Sequence, residues 1–537
     1  MNRCPCGIKT ARRTVCLAAW LLAAASPIQA QGRSDADPSP NPAPAQDNTP
    51  IPVRHLRVTG ATLFPAAELE ALVADLGDGT RTLPELTEGA VRITRFYRDR
   101  GWPLARAVLP AQSIRDGEVE IRVIEGRLAE VQVQTAPGSR LLPDVIESRL
   151  AAIPRDAPLN QERIDRVLLL LSDLPGAQPT ARLQPGARTG DTILSVDNAA
   201  APLISGRLDA DNHGSRYTGE RRIGGTLDLN SPTGHGESLG LRVMASDEDL
   251  YYGRLSAQIP IGASGLSTAL NLTHTQYVLG SAFAELDAHG QANVAEWLLA
   301  YPLVRGSGTN ISSQLGVERR RLADEVGATA TSTGKRATHY SLQLTFSGRD
   351  DTGAGADTRL GLRIGYGRLA FTSPSAALID QLSARTAGHY GTLNLDLQRH
   401  QRLSGGWGLL MTLSGQLASR NLDSYQKFAL GGVNGVRGYP AGEAVGDEGW
   451  LAAGELYYAV NPAFIPSVFY NAGGVRLNET PFLAGNNVRT LRGYGAAVRG
   501  SWRELDWSVS IAARGSERAQ SEPDRGVRLW ARMGWAF

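Results

Sequence analysis

The end of the chain alternates with a strict period of two. Val527, Leu529, Ala531, Met533, Trp535 and Phe537 fall on one side, and Arg528, Trp530, Arg532, Gly534 and Ala536 on the other. Successive side chains of an extended chain point to opposite faces, so one face here is wholly apolar and the other carries two arginines. Such a strand suits a wall between lipid and a wet lumen, although a single one would also suit a soluble sandwich. Recurrence settles the class. Tyr340, Leu342, Leu344 and Phe346 oppose Ser341, Gln343, Thr345 and Ser347, Leu393, Leu395 and Leu397 oppose Asn394, Asp396 and Gln398, and Leu227 and Leu229 flank Asp228. From Pro202 to Phe537 no helical period survives, and about 16 segments of the ~9–11 residues that cross a hydrocarbon core follow one another. That number is even, and it is large enough to enclose an aqueous channel. Seven of the nine tryptophans lie at or beyond Trp297, several near strand ends, where interfacial girdles form. Residues 202–537 are therefore expected to form a transmembrane antiparallel β-barrel of about 16 strands.

The other end of the chain has the marks of export. Residues 1–30 combine a basic start (Arg3, Lys9, Arg12, Arg13), an apolar run from Val15 to Ala25 and small residues up to Ala30. This is the pattern of a cleaved signal peptide, and the run is too short for a spanning helix. Cleavage would remove all three cysteines (Cys4, Cys6, Cys16), so disulfide and thiol chemistry are not expected. It would also take the formal charge from +2 to −2, because four basic residues leave and no acid does. The basic balance belongs to the precursor, and no nucleic-acid partner follows from it. Residues 31–52 carry prolines at 38, 40, 42, 44, 50 and 52, which forbids a helix and favours an extended tether.

Between tether and barrel, one β-α-α-β-β order occurs twice. In the first unit, 53–126, it reads Val53–Val58, Pro65–Leu76, Leu83–Gly101, Leu104–Pro110 and Glu118–Glu125. Leu86, Ala90, Ile93 and Tyr97 recur at helical spacing, and Val119, Ile121 and Val123 alternate with polar residues. In the second, 127–198, it reads Leu128–Gln134, Leu142–Ile153, Asn160–Leu174, Gln178–Leu183 and Asp191–Val196. A repeat of roughly 75 residues indicates duplicated modules, each just large enough to hold a core.

Particular residues in this frame resemble a known family. In the first module these are Gly60, Tyr97-Arg98-Asp99-Arg100-Gly101-Trp102, Leu109-Pro110-Ala111-Gln112, Asp116-Gly117 and Val123-Ile124-Glu125-Gly126. Near the barrel entrance they are Asp211-Asn212-His213-Gly214, Tyr217-Thr218-Gly219, Asn230-Ser231-Pro232 and Pro260-Ile261-Gly262. The most specific run is Leu430-Gly431-Gly432-Val433-Asn434-Gly435-Val436-Arg437-Gly438-Tyr439, followed by Gly446-Asp447-Glu448-Gly449-Trp450. With these motifs the chain, from about Ile51 onward, resembles the TpsB-type transporters of two-partner secretion. These haemolysin and adhesin secretion/activation proteins belong to the outer-membrane superfamily bearing POTRA (polypeptide-transport-associated) domains. The resemblance implies POTRA modules in the periplasm that capture an unfolded exoprotein by strand addition. Leu83–Gly101 and Leu104–Pro110 of the first module would form the capturing groove. It also implies translocation through the outer membrane without a cofactor, and recognition of the C-terminal Phe537 by the barrel assembly machinery.

Tyr425–Gly449 (425–449) is the longest connection that reads as a loop, joining strands eleven and twelve. Long loops within compact folds are commonly functional. The resemblance implies that this one folds back into the pore and presents Val436, Arg437, Gly438 and Tyr439. In the family the loop arginine meets an aspartate of a Phe-x-Asp-x-Gly motif on the thirteenth strand. The corresponding run here is Phe469-Tyr470-Asn471-Ala472-Gly473, with an amide in place of the carboxylate. An arginine–amide contact lacks charge assistance, so Arg437 is expected to meet Asn471, or an acid such as Glu455. Many relatives also carry a plug helix ahead of the first module, which the Pro-rich tether cannot form. The eight histidines are scattered singly, and no metal, nucleophile-elbow or phosphate-loop pattern appears, so neither a metal site nor an enzyme is expected. The alternatives are a barrel assembly factor, which shares the architecture, and a solute channel with periplasmic domains.

Overall fold

The computed structural model describes residues 49–537; the expected signal peptide and residues 31–48 of the tether lie outside the described residues. The chain divides into two compact units at Glu125–Gly126.

In the first unit, β1 (Ile51–Val53) pairs with β3 (Gly79–Arg81), so a strand takes in the last two residues of the expected tether. The main sheet has β5 (Glu118–Ile124) at its centre, with β2 (His55–Thr59) parallel on one side and β4 (Arg106–Val108) antiparallel on the other. The first expected helix divides into α1 (Ala66–Ala71) and a 3-10 turn at Ala74–Leu76. The second, α2 (Leu83–Asp99), starts at a capping box: the Glu85 carboxylate accepts the Thr82 amide at 2.7 Å, and Pro84 occupies the first turn. Its periodic face buries Leu86, Ala90, Ile93 and Tyr97 against Val119, Ile121 and Val123 of β5.

The geometry explains the signature residues of this module. Gly60 sits at φ +76°, and a Cβ there would lie 2.4 Å from the Val123 carbonyl oxygen, so only glycine fits. Tyr97 is fully buried and donates its hydroxyl to Glu125 at 2.8 Å. Glu125 also accepts the amides of Thr62 (2.8 Å) and Leu63 (2.9 Å) and the Thr62 hydroxyl. Burial alone would raise the Glu125 pKa, but these donors outweigh it and hold the carboxyl below the ordinary range. Burial and the carboxylate push the Tyr97 hydroxyl up, so it stays a donor. A carboxyl depressed in the fold stabilises it above the unfolded pKa, near 4.5, and that contribution is lost as pH falls through the folded value. Tyr97→Phe is expected to cost the module about 0.5–1.5 kcal/mol, read from denaturant midpoints. Glu125→Gln should flatten its loss of stability below pH ~4.5.

The second unit begins with the second module. Its sheet is β6 (Arg127–Thr135), β8 (Asp191–Asn198) and β7 (Pro179–Pro185) in that order, covered by α3 (Pro143–Leu150) and α4 (Gln161–Ser172). Asn160 caps α4 by accepting the Arg163 amide at 3.2 Å. Ile146, Leu150, Ile153, Ile164, Val167, Leu171, Leu194 and Val196 are buried in this module. It meets the barrel at the turns after even-numbered strands: Asp173 holds Arg305 through two bonds of 2.7 and 2.8 Å, and Arg166 donates to the Pro302 carbonyl at 2.9 Å.

Sixteen antiparallel strands close the barrel. The first is Ile204–Asp211, the eleventh Trp407–Ala418, the twelfth Glu448–Tyr458, the thirteenth Ile465–Arg476, the fourteenth Val488–Trp502, the fifteenth Leu505–Arg514 and the sixteenth Val527–Ala536. Strands near the middle of the sequence are longer than a membrane requires: the seventh, Thr309–Val326, has 18 residues and the eighth, Thr331–Asp350, has 20. The barrel segment is not free of helix, as the periodicity had implied. Pro374–Leu382 forms a short helix between the ninth strand (Ala356–Phe371) and the tenth (Gly388–Arg402). The closing seam is short. The sixteenth strand pairs with the first over five residue pairs, from Arg532↔Asp211 to Ala536↔Arg207, whereas the first and second share eight. The side chain of Asn212 prolongs the seam, accepting the Ala531 amide at 2.7 Å and donating to the Leu529 carbonyl at 2.8 Å.

Candidate functional site

The connection between strands eleven and twelve is closed at its base by Phe428–Ala429 pairing with Val445–Gly446. Beyond that base, Leu430, Val436 and Tyr439 are all completely buried, which a solvated tip would not be. The chain turns tightly here, with the Val436 amide donating to the Leu430 carbonyl at 2.6 Å.

The burial comes from the inward faces of strands twelve to sixteen. On the thirteenth strand Val468 and Tyr470 are exposed, whereas Phe469, Asn471 and Gly473 are buried. A Cβ on Gly473 would lie 2.5 Å from Leu430 Cδ2, and one on Gly438 would lie 2.6 Å from the Ala513 carbonyl oxygen. Glycine at 473 leaves room for the Leu430 side chain, and glycine at 438 lets the loop backbone lie against the fifteenth strand. Tyr439 donates its hydroxyl to the Glu517 carbonyl at 2.8 Å.

Arg437 is held in three ways. Its Nη2 lies 2.8 Å from Glu455 Oε2, its guanidinium carbon sits 3.6 Å from the centre of the Phe469 ring, and its carbonyl accepts Trp530 Nε1–H at 2.8 Å. Arg499 takes the other Glu455 oxygen, also at 2.8 Å. Of the two expected partners, therefore, Glu455 carries the contact and Asn471 does not. The reason is register: Glu455 stands directly opposite Phe469, so a guanidinium stacked on that ring already faces the carboxylate, which binds it more strongly than an amide. Asn471 is 1% exposed, and its Oδ1 has no hydrogen-bond partner among the described residues.

Two further carboxylates fasten the loop: Glu443, which sequence reasoning did not single out, and Asp447, which stands in the run Gly446-Asp447-Glu448-Gly449-Trp450 but was given no partner there. Glu443 pairs with Arg489 and accepts the amides of Gln520 (2.7 Å) and Ser521 (3.0 Å). Asp447 accepts the amides of Leu422 (3.0 Å) and Glu479 (2.8 Å) and meets Lys427 Nζ at 2.9 Å. In sequence, an acid in a polar connection looks the same whether it is solvated or buried.

A barrel with a buried, arginine-bearing loop and β-α-α-β-β modules ahead of it defines an outer-membrane translocation protein of the POTRA class. The model of the haemolysin secretion/activation protein family (ShlB/FhaC/HecB) matches residues 190–500, more than half of the chain, and that of the ShlB-type POTRA domain matches 51–126. The chain belongs to this haemolysin secretion/activation family. It is 27% identical over 402 residues to the heme/hemopexin transporter protein HuxB of Haemophilus influenzae strain 86-028NP, covering 73% of this chain and 70% of the relative. It is 24% identical over 510 residues to the hemolysin transporter protein ShlB of Serratia marcescens, covering 91% and 86%. Among solved structures, CdiB from Escherichia coli shares the fold with a TM-score of 0.71 at 17% identity, covering 93% of each chain. The protein is thus a two-partner secretion transporter of the outer membrane, with its POTRA domains in the periplasm and a secreted exoprotein as partner.

Proposed function

We propose that the loop 425–449 is the resting plug of this transporter and that Arg437 is the latch that sets it. The observation that carries this reading is the burial of Arg437 between Glu455 and Phe469. A guanidinium cannot shed its charge, so it stays in such a position only with a charged partner. Withdrawal of the loop would open a path for an extended chain. Purified protein in planar bilayers is expected to be mostly closed, and removal of 425–447, which leaves the twelfth strand from Glu448 whole, to raise its conductance several-fold. A wild-type channel already as conductive as the deletion would defeat the plug.

The exoprotein arrives unfolded and adds a strand to the first POTRA domain. β4 is a sheet edge lying alongside α2, and such an edge accepts an extended peptide. The Ala107 amide on β4 already donates to Thr94 Oγ1 at 2.9 Å, so the incoming chain would pair around that point. Folding outside the cell supplies direction, no catalytic step is involved, and Phe537 serves recognition by the barrel assembly machinery. Deletion of the gene is expected to remove one large protein from the medium and leave other outer-membrane barrels unchanged. General loss of barrels would favour the assembly-factor alternative.

A further inference from the structure

The sixth strand (Ala288–Arg305) and the seventh, eighth and ninth carry an outward patch of aromatic and basic side chains apart from the loop site. Trp297, Tyr340 and Tyr366 stand on one row: Trp297 pairs with Val317, Val317 with Tyr340, and Tyr340 with Tyr366. Their rings are 44%, 54% and 54% exposed, as in a girdle at a membrane–water interface. One outward position further from the second POTRA domain come Arg319 and Arg368, with Thr338 between them. One further again come Arg321 and Arg336, which are direct cross-strand partners.

Their alternate neighbours face the lumen. Arg320 pairs with Glu318 and lies over Tyr425 of the loop, Lys335 binds Asp423, and Leu369 packs with Tyr390 and Leu422. The four arginines therefore face outward. All are exposed, and none of their side chains has a hydrogen bond, ion pair or ring contact among the described residues. Several luminal arginines, by contrast, are ion-paired: Arg242 with Asp209, Arg254 with Glu296 and Arg399 with Asp350. On the seventh strand the next outward acid is Glu325, two outward positions beyond Arg321 and 3.4 Å from His289.

Like charges directly opposite on a sheet destabilise it. Arginine at the edge of the apolar band is tolerated, but it is not what a bare lipid wall would carry. The missing element is an anion that lies at interface height and has an apolar body below it. A guanidinium fork matches phosphate oxygens in pairs, and Val317, Leu342 and Ile364 provide the apolar surface beneath. We propose that this patch binds a phosphorylated lipid of the external leaflet, its phosphates held by Arg319, Arg321, Arg336 and Arg368 and its acyl chains lying against the wall below the tyrosines.

The test uses the full-length protein in nanodiscs, with bis-phosphorylated lipid A and its dephosphorylated form as competing probes counted by native mass spectrometry. Wild type is expected to retain the phosphorylated form at least about tenfold over the other, and R319Q/R321Q/R336Q/R368Q to lose that preference. Heat-modifiable migration checks that the variant folds. Arg336→Gln alone removes a like-charge pair, so it keeps the fold, and is expected to reduce the preference by about threefold to fivefold. Arg363→Gln, on the luminal face, should leave it unchanged. An equal preference in the quadruple variant would overturn the site. Full displacement of the lipid by inorganic pyrophosphate would assign the patch to free anions, and displacement by an acidic exoprotein segment would assign it to protein; either result overturns the lipid.

Discussion

Arg437→Ala is expected to lower secretion at least about tenfold while the barrel still folds and inserts. The truncation removes the contact with Glu455, the stack on Phe469 and nothing of the strand ladder. Breaking a buried ion pair from one side costs about 3–5 kcal/mol. Here Arg499 remains on Glu455, so the lower end applies. That is small against the whole barrel and large against the seating of one loop. Arg437→Lys keeps the charge but loses the plane that stacks on Phe469, so it should recover only part of the activity. Secretion titres set beside heat-modifiability on gels separate the two effects. Normal secretion by Arg437→Ala would remove this residue from the mechanism.

The second expected result concerns where the carboxylate stands. Glu455→Gln leaves Arg437 and Arg499 facing an amide, and is expected to increase opening about tenfold or more in single-channel records. Asn471 is two residues beyond Phe469 on the same inward face, and it pairs with Ala453, two residues from Glu455. The two positions are therefore diagonal neighbours, within reach of one long side chain. Asn471→Asp in the Glu455→Gln background is expected to restore closure, by moving the acid from the twelfth strand to the thirteenth. Asn471→Asp alone should lower the opening rate, since it adds a second acceptor beside a cation. A double variant as leaky as Glu455→Gln would show that only the place opposite Phe469 supports the latch.

The barrel was legible in the sequence because lipid on one side and water on the other force a period of two onto every strand. The loop was legible because it breaks that period for longer than a turn needs. The helix at Pro374–Leu382 was not, since nine residues give too few turns for a helical period to stand out. Nor was the choice between Glu455 and Asn471. Both lie on inward faces, and only the pairing of strands twelve and thirteen brings Glu455 opposite Phe469. The contacts of Glu443 and Asp447 were hidden for a related reason, because their partners Arg489, Gln520, Ser521, Leu422 and Glu479 come from chain segments that only the closed barrel brings together.

Trp530, which donates to the Arg437 carbonyl, stands on the sixteenth strand, the same strand that closes the barrel through five residue pairs and the side chain of Asn212. Latch and seam thus share a load path. A pull that draws the loop toward the exterior is passed through the indole to the part of the wall with the fewest rungs, and any slackening of those rungs weakens the grip on the loop. If the loop is the plug proposed above, its departure would loosen the wall in the same event, and the opening would widen where the last strand meets the first.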